Sequence, residues 1–325
     1  MQIIEQIRKR AQEQNGHVVL PETGDERVLR AAALLATQQL CQVTLLGEAS
    51  SIKKLAGEKE ITLPGDIRVV NPLESEQLES YADHFYERRK HKGISRKEAL
   101  ETVKRPLFFA ASMVAAGDAD GCVAGSIATT GDVLRAAIQV IGLKESSEVV
   151  SSVFLMAMPD GKVFTYGDCA VVPYPTKEQL ATIAVDSSET HKRLTDTEPR
   201  TAMLSFSTKG SARHERVELV TDALEQARIQ NPDLQIDGEL QFDAAFVPAI
   251  ARRKAPDSPV AGRSNVFIFP NLDAGNIAYK ITERLAGATA TGPIVQGLRR
   301  PMLDLSRGCS WEDIVNAAAV SVLVG

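Results

Sequence analysis

The amino-acid sequence predicts an α/β protein of two domains with mostly parallel sheets. Its 325 residues exceed what a single hydrophobic core usually accommodates. The first half alternates short apolar runs, typical of strands, with stretches typical of helices, and this βαβ order implies a parallel sheet covered on both faces. Two extended runs around Pro159-Asp-Gly161 predict a hairpin, which is our candidate for the start of the second domain.

Strands and helices alternate along most of the chain. At the first helix, Thr23 and Glu26 have the spacing of a capping box, and Pro106 suits the first turn of a later helix. In the first half we predict strands over residues 17–21, 42–47, 67–71 and 121–125, and helices over residues 25–39, 74–92, 106–116 and 132–141. Beyond them we predict strands over residues 149–158, 162–172, 200–207, 265–269 and 293–296, and helices over residues 177–194, 215–230, 244–254, 274–285 and 311–322.

Composition and charge exclude several classes of protein. Apolar residues make up 44% and charged residues 24%, the balance of a folded soluble protein. The net charge of −5 argues against general nucleic-acid binding. No apolar run reaches the roughly 18 residues that span a bilayer, and the amphipathic N-terminus lacks a signal-peptide core. We therefore expect a cytoplasmic protein that binds neither a membrane nor nucleic acid.

The common metal and nucleotide motifs are missing from the sequence. The four cysteines are far apart and form no CxxC pair, which argues against a zinc cage or a disulfide framework. No GxGxxG, Walker P-loop, HExxH, EF-hand or GxSxG string occurs. We therefore expect no bound metal, and an anionic ligand would have to be held by a local cluster of arginines.

A hydroxyl-rich loop between a buried strand and a helix is the first candidate site. It runs from Gly125 to Arg135 and contains Ser126, Thr129 and Thr130. Free backbone N–H groups at a helix start attract anions, the three hydroxyls add donors, and Arg135 lies one turn into the helix. From spacing alone, an ordinary helix cap by Thr130 is the default explanation of this loop, and a phosphate site is the alternative.

Two further segments carry weaker signals. The basic string Arg88-Arg-Lys-His-Lys-Gly93 ends a helix, where positive charge offsets the helix macrodipole and is usually just solvated; a clamp for a phosphorylated ligand is the alternative. The stretch from Met203 to Ser211 runs from a strand into a hydroxyl-rich turn, at the sheet edge where α/β proteins bind ligands. A capped helix entry at Ser211 explains this stretch equally well.

The segment from Leu305 to Asp313 is the last candidate. Ser310 and Asp313 have capping-box spacing, which is the default explanation of Asp313. Ser306 and Arg307 precede that helix in a glycine-containing loop. Arg307 offers a two-pronged donor to a phosphoryl group or a developing oxyanion, and Ser306 offers one more hydrogen bond.

Read together, these segments resemble the phosphate acetyltransferase (phosphotransacetylase) family in its short, single-module form. The resemblance covers nearly the whole chain and is looser over the first 70 residues. The matching strings are Leu204-Ser-Phe-Ser-Thr-Lys-Gly-Ser-Ala212, Asp304-Leu-Ser-Arg-Gly-Cys309 and residues 237–246, 254–259, 265–270 and 274–280.

The resemblance implies a two-domain αβα architecture like that of isocitrate and isopropylmalate dehydrogenases, with the active site in the interdomain cleft. It implies a first domain of residues 1–146 plus 290–325, to which the C-terminal helix returns, and a second domain of residues 147–289. It also implies a homodimer and a role in acetate metabolism, and it leaves open whether the pathway is general acetate metabolism or ethanolamine breakdown.

The activity implied by the resemblance is reversible acetyl transfer between acetyl phosphate and coenzyme A in a ternary complex. Ser306, Arg307 and Asp313 match the family's catalytic positions, with Asp313 as the general base that takes the thiol proton. Arg89 and Arg135 match its substrate-binding arginines, although the loop before Arg135 departs from that of many relatives. No bound cofactor is implied, and coenzyme A, acetyl-CoA, acetyl phosphate and phosphate are substrates.

Three alternatives stay open at this point. One is transfer of a longer acyl group, such as butyryl, on the same fold, which pocket volume would decide. Another is a catalytically silent module that binds coenzyme A, against which the intact Ser306, Arg307 and Asp313 argue. A metal-dependent dehydrogenase of related fold would need clustered acidic residues and a nucleotide loop, and the sequence shows neither.

Overall fold

The computed structural model describes residues 2–325. The chain divides into two compact units. We call Ile4–Gly142 together with Leu298–Gly325 the first unit, and Leu143–Gly297 the second unit.

Helices and strands alternate along most of the chain, as the sequence predicts. The strands are β1 (His17–Leu20), β2 (Gln42–Leu46), β3 (Arg68–Val70), β4 (Gly121–Ala124), β5 (Ser151–Ala157), β6 (Val163–Gly167), β7 (Thr201–Leu204), β8 (Ile236–Leu240), β9 (Val266–Ile268), β10 (Thr289–Gln296) and β11 (Met302–Asp304). The helices are α1 (Gln2–Gln14), α2 (Glu26–Thr37), α3 (Ala49–Glu58), α4 (Leu78–Arg89), α5 (Arg96–Val103), α6 (Pro106–Ala116), α7 (Thr130–Ala136), α8 (Lys177–Thr195), α9 (Glu215–Gln230), α10 (Phe242–Phe246), α11 (Pro248–Lys254), α12 (Leu272–Ala286) and α13 (Trp311–Val324). A 3₁₀ turn (Lys90–Lys92) follows α4, and a π-helical turn (Ala137–Ile141) follows α7.

The sheet of the first unit is entirely parallel, with strand order β11-β4-β1-β2-β3. The helix α6 begins with Pro106 at its first turn, as predicted, and is buried from Phe108 to Val114. A helix that is apolar on all sides belongs in a core, and α6 lies in one with the inner faces of α4 and the π-helical turn. The C-terminal helix α13 packs on α2, β1 and β4.

The second unit has a mixed sheet with strand order β10-β5-β6-β9-β7-β8. The predicted hairpin is present, since β5 and β6 pair antiparallel with Ala157 opposite Val163. The strands β6, β9, β7 and β8 run parallel. The α/β class with mostly parallel sheets is therefore confirmed.

The structure places one strand differently from the predicted domain boundary. The sequence interpretation grouped residues 290–325 with the first domain, whereas β10 pairs antiparallel with β5 and lies in the second unit. A strand belongs to the sheet with which it forms hydrogen bonds. Because the partner of β10 comes more than a hundred residues earlier in the chain, no local sequence pattern indicates this pairing. Only the part from Leu298 onward lies in the first unit.

Several local predictions were wrong for identifiable reasons. The predicted helix over residues 244–254 is two helices, because Pro248 forces Val247 into an extended conformation (φ −97°, ψ 113°). The predicted capping box at α2 does not form. Thr23 Oγ1 donates to the carbonyl oxygen of Leu46 (2.6 Å) instead, and Asp25 caps the helix by accepting from the backbone of Arg27.

The strand β8 was missed because its sequence, Ile-Asp-Gly-Glu-Leu, is typical of a turn. All five residues are buried. The carboxylate of Asp237 pairs with Lys209 (Nζ to Oδ1 2.6 Å), and that of Glu239 accepts from the backbone of Gly210 (2.8 Å). Partners from a distant segment thus allow two carboxylates to lie inside a sheet.

Candidate active site

Three loops that carry candidate residues begin at one edge of the first unit's sheet. The strands β1, β4 and β11 are parallel neighbours, so the loops that follow them begin at the same edge. In open α/β sheets this carboxyl edge is where ligands bind. A Cβ on Gly125 (φ +104°) would lie 2.4 Å from the carbonyl oxygen of Leu305. Glycine is therefore needed where the loop after β4 touches the loop after β11.

A buried carboxylate fills the loop that the sequence predicts to bind an anion. Glu22, which is 8% exposed, accepts hydrogen bonds from the backbone of Gly125 and Ser126 (2.8 Å each) and of Ala128 (2.7 Å). The backbone of Ile127 donates to the same carboxylate at 3.2 Å, and the hydroxyl of Ser126 at 2.8 Å. These donors are occupied by the protein itself, and Ser126 is buried, so the structure does not support Ser126 as a direct ligand of phosphate.

The two threonines of this loop have separate partners. Thr129, not Thr130, caps α7 by accepting from the backbone of Asp132 (3.2 Å). Thr130 Oγ1 donates to Oδ2 of Asp304 at the end of β11 (2.6 Å). Within residues 2–325, Oδ1 of Asp304 is buried without a hydrogen-bond partner. Burial, followed by the negative charge of Glu22, raises the pKa of Asp304 to about 6, against the opposing effect of the Thr130 hydrogen bond.

Arg27 joins all three loops. Its guanidinium donates to the carbonyl oxygens of Ser126 (3.0 Å), Arg307 (2.9 Å) and Cys309 (2.6 Å). The same group pairs with Asp25 after β1, with Nη2 2.6 Å from Oδ2. A planar guanidinium offers five donors in a rigid fork, which suits this contact with four groups. Sequence reasoning missed Arg27 because it lies in the first turn of an amphipathic helix, where arginine is usually solvated.

Ser306 and Arg307 lie in the loop that Arg27 holds. The backbone of Cys309 donates to the carbonyl oxygen of Ser306 (2.9 Å), and the backbone of Gly308 donates to Ser306 Oγ (3.2 Å), which together form a tight turn. Both Ser306 and Arg307 are exposed. The backbone is therefore held while two side chains remain available to a ligand.

Asp313 forms the predicted capping box at the start of α13. Its backbone donates to Ser310 Oγ (3.1 Å), and its Oδ2 accepts from the backbone of Ser310 (2.8 Å). The side chain is exposed, and its charge acts on Cys309. Burial raises the pKa of the Cys309 thiol, the charge of Arg27 opposes this, and Asp313 adds to it. The carboxylate of Asp313 is therefore close enough to act electrostatically on the loop that carries Ser306 and Arg307.

The structure does not join the other two predicted arginines to this loop. Arg135 is exposed on α7 and pairs with Asp132 (Nη1 to Oδ1 2.6 Å). Arg89 is half-buried at the C-terminal end of α4. Among residues 2–325, no hydrogen bond or ion pair described for either arginine reaches residues 305–310.

The described residues offer neither a metal-binding cluster nor a membrane-spanning helix. Across residues 2–325, no three His, Cys, Asp or Glu side chains form a group that would suit a metal ion. In the same range, no helix combines the length and the apolar character that crossing a bilayer requires.

Comparison with known proteins identifies the family. The model of the family described as phosphate acetyl/butaryl transferase matches residues 2–322. The chain is 47% identical to the phosphate acetyltransferase of Thermoanaerobacterium thermosaccharolyticum (99% of each chain covered) and 46% identical to that of Acetivibrio thermocellus (99% of this chain and 98% of the relative). A phosphotransacetylase structure from Streptococcus pyogenes superposes with a TM-score of 0.94 at 42% identity, covering 99% of this chain and 98% of that one. The chain belongs to the phosphate acetyl/butaryl transferase family.

Proposed function

We propose that the chain is a phosphate acetyltransferase, an enzyme that transfers an acetyl group reversibly between acetyl phosphate and coenzyme A. The observation that carries this proposal is the full-length identity of 46–47% to relatives named phosphate acetyltransferase. These names favour acetyl over a longer acyl group. An exposed Ser306 and Arg307 on a braced loop favour an enzyme over a silent module.

In the forward direction, the sulfur of coenzyme A attacks the acetyl carbonyl carbon of acetyl phosphate. A carbon–sulfur bond forms, and the bond between the carbonyl carbon and the bridging oxygen breaks. The bridging oxygen keeps the electron pair and leaves as part of phosphate. A free thiol has a pKa of about 8.5, so only a few per cent is thiolate at neutral pH. We assign the removal of the thiol proton to the carboxylate of Asp313, a contribution of roughly 10²–10⁴-fold.

Arg307 and Ser306 have the complementary role in this proposal. The guanidinium of Arg307 pairs with two phosphate oxygens and stabilises charge as phosphate leaves. The Ser306 hydroxyl donates one hydrogen bond to the reacting group. Arg27 supports both by holding the carbonyl oxygens of Arg307 and Cys309, so the loop is in place before substrate binds.

We propose that Arg89 and Arg135 bind substrate. The main support for this assignment is the resemblance to the family's substrate-binding arginines. The exposed side chain of Arg135 forms an ion pair with Asp132 at the surface, and such pairs are weak enough to exchange for a phosphate. Thr129 and Thr130 hold the start of α7, which carries Arg135, so we assign them the positioning of this arginine.

We also propose a homodimer, for which α12 provides an argument. Ile277, Ile281 and Leu285 are spaced by four residues on one helix face and are 58%, 52% and 84% exposed. An exposed apolar stripe of this kind marks an interaction surface, and a second copy of the chain would cover it. The dehydrogenase-like architecture, the active site in the interdomain cleft, the cytoplasmic location and the role in acetate metabolism stay predictions of the resemblance.

A coupled assay of the purified chain tests the proposal. Acetyl, propionyl and butyryl phosphate are each supplied with coenzyme A, and thioester formation is followed. We expect acetyl phosphate to give the highest kcat/KM. A higher value for butyryl phosphate would reassign the chain to the longer-acyl reaction, and no thioester from any of the three would leave only the silent module.

A further inference from the structure

A second cluster of positive charge lies in the first unit, away from the loop of Ser306. An open cavity of about 390 Å³ is lined by Arg88 at the end of α4 and by Arg299 and Arg300. The last two precede β11, whereas Ser306 follows it, so the two places lie at opposite ends of this strand. Phe85, Ala115, Val140 and Ile141 contribute apolar atoms to the wall, and Glu87 is the carboxylate that lines it.

Two of the three arginines, Arg88 and Arg300, have no carboxylate partner among residues 2–325. Arg88 is half-buried. The guanidinium of Arg88 has a long hydrogen bond, 3.4 Å, to the carbonyl oxygen of Gln139. Burial, and then the charges of Arg299 and Arg89, lower the pKa of Arg88. The carboxylate in the lining, Glu87, is exposed and paired with Lys90.

The backbone is shaped to admit Arg88. Gly142 has a φ of +81°, and a Cβ added there would lie 2.2 Å from Nη2 of Arg88. Any larger residue would therefore push the guanidinium out of its place. A cationic side chain that is partly removed from water, beside other cations, costs free energy unless an anion offsets it. An anion bound in the cavity would offset this free-energy cost.

We propose that this cavity binds a small phosphorylated organic molecule. Its phosphate groups contact the guanidinium groups of Arg88, Arg299 and Arg300, since arginine is the side chain best suited to bidentate recognition of phosphate. Its apolar or ring portion lies against Phe85 and Ala115. The volume is within the range of roughly 300–1,000 Å³ that small-molecule sites occupy. Two sources supply this chemistry, a free phosphorylated metabolite or the nucleotide end of coenzyme A.

Calorimetric titration with ADP and with inorganic pyrophosphate tests the site. Arg300→Gln and Arg88→Gln each remove one guanidinium. Because Arg300 is exposed, we expect the Arg300→Gln protein to fold normally. Arg252→Gln, an exposed arginine on α11, is the matched control. We expect both cavity variants to bind ADP roughly tenfold or more weakly, with Arg252→Gln retaining wild-type affinity. Arg307→Gln measures separately how much of the binding belongs to the proposed active site.

Steady-state kinetics of Arg300→Gln distinguish the two sources. A raised KM for coenzyme A with an unchanged KM for acetyl phosphate assigns the cavity to the nucleotide end of coenzyme A. Unchanged values of both, together with weakened ADP binding, assign it to a free metabolite. The proposal is overturned if neither ADP nor pyrophosphate binds at millimolar concentration, or if both cavity variants bind them as the wild type does. The titrations read binding without turnover, so they stand even if the proposed function fails.

Discussion

Replacing Arg27 by lysine keeps a positive charge at the start of α2 but removes the group that joins three loops. In the wild type the guanidinium donates to the carbonyl oxygens of Ser126, Arg307 and Cys309 and pairs with Asp25. Lysine has one ammonium on a flexible stem, so it reaches one of these oxygens while it pairs with Asp25. At least two charge-assisted hydrogen bonds are lost.

The magnitude follows from these contacts and their burial. The Arg27 side chain is 28% exposed, so each lost bond counts for about 1 kcal/mol, below the range of about 1.5–3 kcal/mol typical of hydrogen bonds to charged groups. We expect the free energy of unfolding to fall by about 2 kcal/mol. The loop of Ser306 also loses its brace, and because misplacement by about 1 Å costs up to ~10²-fold, kcat should fall between about tenfold and a hundredfold.

Urea unfolding and steady-state kinetics measure the two effects. Arg30→Lys is the matched control, since Arg30 lies one turn further along α2 and its Nη2 makes a long contact of 3.9 Å with Glu26. The control should change the unfolding free energy by less than about 0.5 kcal/mol and leave kcat unchanged. An Arg27→Lys protein with the stability and kcat of the control would refute the idea that this guanidinium holds the site together.

Two further predictions concern buried carboxylates at the same sheet edge. Glu22→Gln turns amide hydrogens toward backbone donors and should destabilise the fold by about 2–4 kcal/mol in urea unfolding. The control Glu26→Gln changes a side chain that is 40% exposed and should cost less than about 0.5 kcal/mol; equal effects would show that the Glu22 carboxylate is not needed. Burial raises the pKa of Asp304 in the folded state to about 6, above the ordinary value of 3.8 for an aspartate, so the folded state holds the proton more tightly and stability is lost as pH rises through this window. Asp304→Asn should therefore gain about 2–3 kcal/mol relative to wild type between pH 4 and pH 7, and a constant difference across that range would contradict the raised pKa.

Local signals in the sequence were enough to predict the elements whose ends depend on their own residues. Pro106 starts α6, and Ser310 with Asp313 starts α13, as expected. These signals act within one helical turn, so they can be recognised without knowledge of the fold. The α/β alternation followed from the same kind of information.

The contacts that shape the candidate site could not be predicted in this way. Glu22 binds backbone groups about a hundred residues away, and Arg27 binds Arg307 across 280 residues. No local pattern distinguishes these residues from a turn glutamate and a solvated helix arginine. The loop with Ser126 was recognised as an anion-binding loop, but the anion that fills it belongs to the protein. Its chemistry was predictable from the sequence, whereas its partner depends on how β1 and β4 pair.

The rate of the Asp313→Asn protein tests the central claim most directly, because Asp313 both caps α13 and is proposed as the general base. Asparagine still accepts a hydrogen bond from the backbone, so the variant should lose at most about 1 kcal/mol of stability. It cannot take a proton, so kcat for acetyl-CoA formation should fall by roughly 10²-fold or more at neutral pH, with partial recovery as pH rises and thiolate accumulates. A folded Asp313→Asn protein with near-normal kcat would contradict this account and leave Asp313 as a helix cap alone.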